Sequence, residues 1–317
     1  MKPNVLLINQ LPEEVYDYLD QKAQIIPFYG ENVLTYDYLD LIDGILGSKM
    51  EINSQLLEKT PKLKIISNIS VGYDNLDIED IRCYEIMATN TPNVLNQTTA
   101  DLIFGLLIAA ARRIPELDRY VKARQWTEQK ISPAYFGTDV FGKKLGIIGM
   151  GKIGEEIAKR AFSGFDMDIL YHNRTRRIEA EKRFQATYVS LPDLLQQSDF
   201  VLVMVPLTEE TYHLIGEDEF ELMQVHSILI NGSRGEVVDE KALAEALFNK
   251  KIRAAGLDVY ESEPIRNDNP LLQMDNVVTL PHIGSATHET RTKMAWRATE
   301  NLIDGLEGRT PKDLITK

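Results

Sequence analysis

Apolar positions along this chain fall into short blocks and longer periodic stretches. Blocks rich in Val, Ile and Leu occupy residues 4–8, 24–28, 44–47 and 63–68, with helical patterns between them at Glu13–Gln21 and Ser54–Glu58. Strands alternating with helices imply parallel strands joined by right-handed crossovers. The first hundred residues therefore predict a small α/β domain. Asn96 to Ile114 predicts one long helix: Leu102, Leu106 and Ala110 recur at helical spacing, and Arg112 and Arg113 close it where a helix dipole favours cations. A polar, aromatic stretch follows (Trp126, Tyr135, Phe136) and reads as an arm or an interface.

A second βα series starts at Lys144, with later strands expected at Asp168–His172, Phe200–Val205, Ser227–Asn231, Ala254–Val259 and Val277–Leu280. That many strands in βα alternation predict a doubly wound sheet with a cofactor crevice at its switch point. A last helix, about His288 to Leu306, sets Met294, Ala298 and Leu302 on one face and matches the Asn96–Ile114 helix in character. The chain is therefore expected to cross back. Domain one would be 1–99 plus 288–317 and domain two 100–287: two Rossmann-like, doubly wound parallel-sheet α/β domains with a cleft between them.

Composition narrows the partners. A length of 317 residues allows two sizeable cores. A net charge of −13 argues against a polyanion such as nucleic acid as a general partner. Cys83 is the one cysteine, so no intrachain disulfide can form, which fits a reducing, cytoplasmic setting. The start of the chain reads as a first strand and not as a signal peptide. The longest apolar run, Leu102 to Ala111, is roughly half of what a membrane span needs, so no membrane partner is expected.

The chemistry centres on Gly149-Met150-Gly151-Lys152-Ile153-Gly154, which follows an apolar strand and opens a helical pattern. Gly149 permits the tight turn, Gly151 lets the backbone approach a pyrophosphate, and Gly154 lets the helix pack closely on the strand. The phosphates would meet a helix N-terminus, where N–H groups and the dipole favour negative charge. About twenty residues further on, an NAD site would carry an acid for the ribose 2′-hydroxyl. Here the strand ends in His172-Asn173-Arg174-Thr175-Arg176-Arg177. These residues offer donors to a 2′-phosphate, so NADP, with NADPH preferred over NADH, is the expected cofactor.

Three polar residues follow strands of the second series: Arg234, Glu263 and His282. A guanidinium can grip a carboxylate, a histidine exchanges protons near neutral pH, and a carboxylate beside it favours its protonated form. Periodicity does not choose between Glu261 and Glu263. The five histidines show no metal-ligand spacing, and no metal is expected. Earlier in the chain, Ser70-Val71-Gly72-Tyr73-Asp74 follows the fourth strand, where a glycine lets backbone N–H groups face an anion.

Several motifs in order carry a resemblance. They are Ser70–Asp74, the 149–154 glycines, Val205-Pro206-Leu207-Thr208, Asn231–Asp239, Gly256–Val259 with Glu263-Pro264, and Pro281-His282-Ile283-Gly284-Ser285. Over essentially its whole length the sequence resembles the D-isomer-specific 2-hydroxyacid dehydrogenases. Gly72–Asn75, Tyr135-Phe136 and Gly284–Arg291 look most like the 2-ketogluconate reductase (glyoxylate/hydroxypyruvate reductase) branch. The resemblance implies an oxidoreductase in which Arg234 binds the 2-keto acid, His282 is the general acid, and Glu263 hydrogen-bonds His282 and raises its pKa. It implies that Val71 and Gly72, with Arg234 and His282, contact substrate. Gly149, Gly151, Lys152, Ile153 and Gly154 would cover the pyrophosphate, and Asn173, Arg174, Thr175 and Arg176 would surround the 2′-phosphate. Thr98, Val205, Pro206, Thr211, Gly232, Ser233, Asp258, Gly284 and Ser285 would lie along the rest of the cofactor. It also implies a flavodoxin-like first domain and a homodimer. A dehydrogenase for another 2-hydroxy acid, phosphorylated or aromatic, and a nucleotide-sensing regulator on the same fold are the alternatives.

Overall fold

The structure, a computed structural model, describes residues 2–30 and 32–316. The chain divides into two compact units, Met1–Leu95 with Ser285–Lys317, and Asn96–Gly284.

The first unit opens with strands β1 (Asn4–Leu7), β2 (Gln24–Pro27), β3 (Gly44–Gly47), β4 (Ile65–Asn68) and β5 (Met87–Thr89), and helices α1 (Glu13–Lys22), α2 (Ser54–Lys59) and α3 (Ile78–Cys83). All strands pair in parallel in the order β2-β1-β3-β4-β5, the flavodoxin-like arrangement. Side chains start two of the short helices: Asn53 accepts the Leu56 N–H at 3.3 Å, and Asp77 accepts the Asp80 N–H at 3.0 Å. β5 and α3 escape the apolar pattern because a three-residue strand and a six-residue helix are too short to show a period.

The second unit begins with α4 (Asn96–Arg112), which stops one residue before the expected arginine pair is complete. Arg113 takes a left-handed φ of +57°, and a separate helix α5 (Ile114–Lys122) starts behind it with Pro115 in its first turn. The expected single helix to Ile114 is thus two helices, broken where a left-handed residue cannot continue the ladder. Then follow β6 (Lys144–Ile148), α6 (Lys152–Phe165), β7 (Asp168–His172), α7 (Ile178–Phe184), β8 (Thr187–Tyr188), α8 (Leu191–Gln197), β9 (Phe200–Val203), α9 (Glu217–Leu222), β10 (Ile228–Asn231), α10 (Glu240–Phe248), β11 (Ala254–Leu257) and β12 (Val277–Thr279). The parallel sheet runs β12-β11-β10-β9-β6-β7-β8, so strand order reverses between β6 and β9. β8, two residues long, is an edge strand that no sequence pattern marks. Several strands are shorter than their apolar runs because flanking residues such as Leu63 and Val259 fill core beyond the ladder.

Helix α11 (His288–Leu306) returns to the first unit and buries Met294, Ala298 and Leu302. It lies close on β3 and β4: a Cβ at Gly44 would meet Leu302 at 2.9 Å, and Ser67 Oγ donates to the Ala298 carbonyl at 2.7 Å. The tail after α11 covers the β5 edge, with Leu314 bridging Thr89 and the Ile315 N–H donating to the Ala88 carbonyl at 2.8 Å. Asp313 fixes that tail. Its carboxylate, 7% exposed, accepts Arg297 Nε and Nη2 at 2.5 and 3.0 Å and Asn301 Nδ2 at 2.9 Å. Asp313→Ala leaves a part-buried guanidinium without its carboxylate and is expected to cost about 2–3 kcal/mol. Denaturant unfolding checks this against Asp118→Ala, which loses only the exposed Lys122 pair and should leave stability unchanged.

Candidate active site

β6 delivers the chain into the glycine loop, and each glycine has a visible reason. Gly149 has φ +104°, and a Cβ there would lie 2.5 Å from the Met204 carbonyl oxygen. A Cβ on Gly154 would lie 2.5 Å from the Gly149 carbonyl oxygen, so α6 could not sit as close to β6. Gly151 would meet nothing within 4 Å among the described residues, which leaves the loop open to a close-approaching group at the start of α6. The backbone of Met150 is held from β7: Asn173 Oδ1 accepts its N–H at 2.7 Å, and Arg177 Nε donates to its carbonyl at 3.2 Å.

Beyond β7 the polar residues therefore divide. Asn173 and Arg177 brace the glycine loop, with Arg177 also 3.3 Å from Glu155. Arg174 is largely exposed and lies 3.4 Å from Glu210. Arg176 makes a two-pronged pair with Glu181 of α7 at 3.0 and 2.7 Å and lies 5.8 Å over the Tyr188 ring. The buried Tyr171 hydroxyl donates to Glu181 at 2.6 Å and accepts the Arg177 N–H at 2.7 Å. The Arg176 guanidinium, with Tyr171 adding to it, holds the Glu181 carboxyl below the usual carboxylate range. Burial pushes the Tyr171 phenol up, and Glu181 reinforces the shift. None of residues 172–177 at the β7 end is the acid that a ribose 2′-hydroxyl would meet in an NAD site, and Arg174, Thr175 and Arg176 are exposed there.

Arg234, Glu263 and His282 follow β10, β11 and β12, three neighbouring parallel strands, so all three leave the same edge of the sheet. That edge also bears the glycine loop. His282 Nδ1 lies 2.7 and 2.9 Å from the two Glu263 carboxylate oxygens. Glu261, the acid that periodicity left open, instead pairs with His213 at 2.9 Å. Arg234 is half-buried in a turn written by Asn231: the Asn231 amide donates to the Arg234 carbonyl at 2.9 Å, and its oxygen accepts the Ser233 N–H and hydroxyl at 3.1 and 3.0 Å. His282 itself has a left-handed φ of +52°. That conformation is uncommon for a residue with a Cβ, and it persists where the surroundings enforce it. Asp258 does part of this: its buried carboxylate accepts the Ile283 and Gly284 N–H groups at 2.8 and 2.9 Å. Burial pushes the Asp258 carboxyl up, against the pull of those two bonds and of His282.

A family model described as D-isomer specific 2-hydroxyacid dehydrogenase, NAD binding domain, matches residues 104–284. The chain belongs to this family. Its relatives among the D-isomer specific 2-hydroxyacid dehydrogenases include glyoxylate/hydroxypyruvate reductase B of Enterobacter sp. (strain 638), 48% identical over 99% of this chain and 98% of the relative. The protein of that name from Escherichia coli (strain K12) is 47% identical with the same coverage. Among solved structures, NADPH-dependent glyoxylate/hydroxypyruvate reductase from Sinorhizobium meliloti, in complex with NADP and malonate, superposes with a TM-score of 0.90. It is 30% identical and covers 99% of this chain and 97% of the other.

The remaining residues that family resemblance singles out occupy varied settings. Val71 and Gly72 follow β4 in the first unit, where buried Asn90 and Asn68 donate to their carbonyl oxygens at 2.8 Å each. Thr98 stands in the first turn of α4. Val205 and Pro206 follow β9, and Thr211 Oγ1 donates to the Pro206 carbonyl at 2.7 Å. Gly232 leaves room for Ile103, since a Cβ would lie 2.3 Å from its Cδ1, and Ser233 is buried on Asn231. Gly284 closes the second unit and Ser285 opens the returning segment. Asp258 is 2% exposed, and its two oxygens serve the His282 turn. Sequence reading missed the turn-writing role of Asn231, the Glu181 partner of Arg176, and Tyr260. Asn231 and Tyr260 meet backbone atoms, and Glu181 meets Arg176 across a turn whose shape the apolar pattern does not record. His213, Asp239 and Glu261 gather with ligand atoms within 4.8 Å of one another. Their contacts already have uses: Asp239 caps α10 by accepting the Ala242 N–H at 2.9 Å, and Glu261 accepts the Glu240 N–H at 3.1 Å.

Proposed function

We propose that the protein reduces small 2-keto acids (glyoxylate, hydroxypyruvate and 2-ketogluconate) to D-2-hydroxy acids with NADPH. The observation that carries the reading is the 2.7 Å contact between His282 and Glu263 on the sheet edge that also bears Arg234 and the glycine loop. The second unit is then the NADP-binding domain and the first the substrate domain. The chemistry supplied by a bound nicotinamide cofactor is hydride donation to the keto carbon. Glu263 holds the His282 ring by Nδ1, which leaves Nε2 as the atom that gives its proton to the developing alkoxide. The carboxylate of Glu263 thereby fixes which ring nitrogen faces the substrate. Arg234 grips the substrate carboxylate and stabilises negative charge at the carbonyl oxygen. The backbone N–H groups of Val71 and Gly72 are assigned to the same carboxylate.

The surroundings fit NADPH. Gly151 leaves the phosphate loop open, α6 presents its N-terminus, and Arg174, Thr175 and Arg176 stand where an NAD site would carry an acid. A reducing, cytoplasmic setting belongs to the same reading, with a small molecule and neither nucleic acid nor membrane as partner.

A homodimer is also part of the proposal. α5 buries none of its side chains among the described residues, and Ile114, Val121, Trp126, Phe136 and Phe141 in and after it are each at least half exposed. Such an apolar surface marks an interface, and a second copy is the occupant that family resemblance gives.

Initial rates of NADPH and NADH oxidation across a panel of 2-keto acids test the activity. Turnover with glyoxylate, hydroxypyruvate or 2-ketogluconate, faster with NADPH, is expected. Arg174→Ala with Arg176→Ala should raise KM for NADPH about tenfold or more and leave KM for NADH nearly unchanged, as loss of charge-assisted bonds to one phosphate requires. No oxidation with any keto acid, or equal effects on both cofactors, would contradict the reading. Light scattering should give twice the chain mass, and Val121→Asp with Trp126→Ser should shift it toward one chain; a monomeric parent protein would refute the dimer.

A further inference from the structure

We propose that Tyr260 is a positioning residue that sets the spacing between the strand ends carrying Arg234, Glu263 and His282. The inference rests on the catalytic reading above and extends it to a residue that touches neither substrate nor cofactor there. Tyr260 lies just past β11, the middle of the three strands, and is 6% exposed. It reaches all three branches by different means.

Toward β12 its hydroxyl donates to the Leu280 carbonyl at 2.9 Å, two residues before His282. Asp258 takes the N–H groups of Ile283 and Gly284 on the other side. The left-handed His282 is therefore gripped before and after, both times from the end of β11. Toward β10 the contact is backbone on backbone. A Cβ at Gly235 would lie 1.8 Å from the Tyr260 carbonyl carbon and 2.1 Å from its oxygen, so the turn that presents Arg234 rests directly on this peptide. Along its own chain Tyr260 leads to Glu263 through a clamped segment. The Glu261 N–H donates to Glu240 Oε1 at 2.6 Å, the Glu240 N–H donates back at 3.1 Å, and Asn269 Nδ2 donates to Glu240 Oε2 at 2.7 Å. Glu263 thus leaves Tyr260 in a fixed direction, and the hydroxyl bond ties that direction to the His282 turn.

The phenol is suited to a permanent donor. Burial first, then the Asp258 charge, pushes it up to about 12, so it keeps its proton throughout the range in which a histidine titrates. Phenylalanine would fill the same volume without the donor. The Leu280 carbonyl would lose its partner, and the 2.7 Å contact of His282 with Glu263 would loosen. Misplacement on the order of 1 Å can cost up to about a hundredfold in rate.

The test compares the parent protein, Tyr260→Phe, Glu263→Gln and the double variant. Each is measured for kcat in keto-acid reduction, KM for NADPH and a thermal melt. Glu263→Gln weakens the contact that orients the His282 ring, so kcat should fall at least about tenfold with KM for NADPH nearly unchanged. Tyr260→Phe should lower kcat about tenfold, with KM for NADPH within about twofold. In the double variant the two effects should be less than additive, because both act through one contact. A Tyr260→Phe protein that melts earlier but keeps the parent kcat would overturn the proposal and leave Tyr260 structural. A parental kcat in Glu263→Gln would instead sink the catalytic reading itself, whatever Tyr260→Phe does.

Discussion

Parallel pairing is the constraint on which the rest depends. In the second unit all seven strands run the same way, so each carboxyl end is delivered to one edge, and every connection must return across a face of the sheet. Neighbouring strands lie about 4.8 Å apart, so residues just past β10, β11 and β12 fall within about 10 Å without any long-range design. What pairing does not supply is precision. That comes from side chains and carbonyls that join the strand ends: Asn231 within its own turn, Asp258 and Tyr260 from β11 to β12, and the Gly235 contact from β10 to β11.

The ionisable residues show the same division of labour. Glu263 faces His282, whereas Glu261, two residues earlier, is part of a clamp with Glu240 and His213. Asp258 is buried among backbone N–H groups and braces the His282 turn. At the other end of the sheet, Arg177 and Asn173 brace the glycine loop while Arg174 and Arg176 stay at the surface.

Much of this was legible in the sequence, because buried parallel strands write themselves as continuous apolar blocks and the glycine triplet states its own sterics. Arg234, Glu263 and His282 were legible as strand-end residues, although only resemblance preferred Glu263 to Glu261. The break at Arg113 was not legible: the helical period runs on through Ile114, and only the left-handed residue interrupts it. β5 and β8 were too short to show a period. The bracing partners were hidden for a different reason. Tyr260 meets a backbone oxygen twenty residues away, and Glu181 meets both Arg176 and Tyr171; such contacts exist only after the chain has folded.

The central claim is that His282, held by Glu263, gives the proton while cofactor binding rests on other residues. Single-turnover reduction by His282→Gln, alongside NADPH binding followed by nucleotide fluorescence, tests it most directly. The account predicts a rate about 10²–10⁴-fold below the parent protein with NADPH affinity nearly unchanged. A near-parental rate, or a rate lost only in step with NADPH affinity, would contradict it.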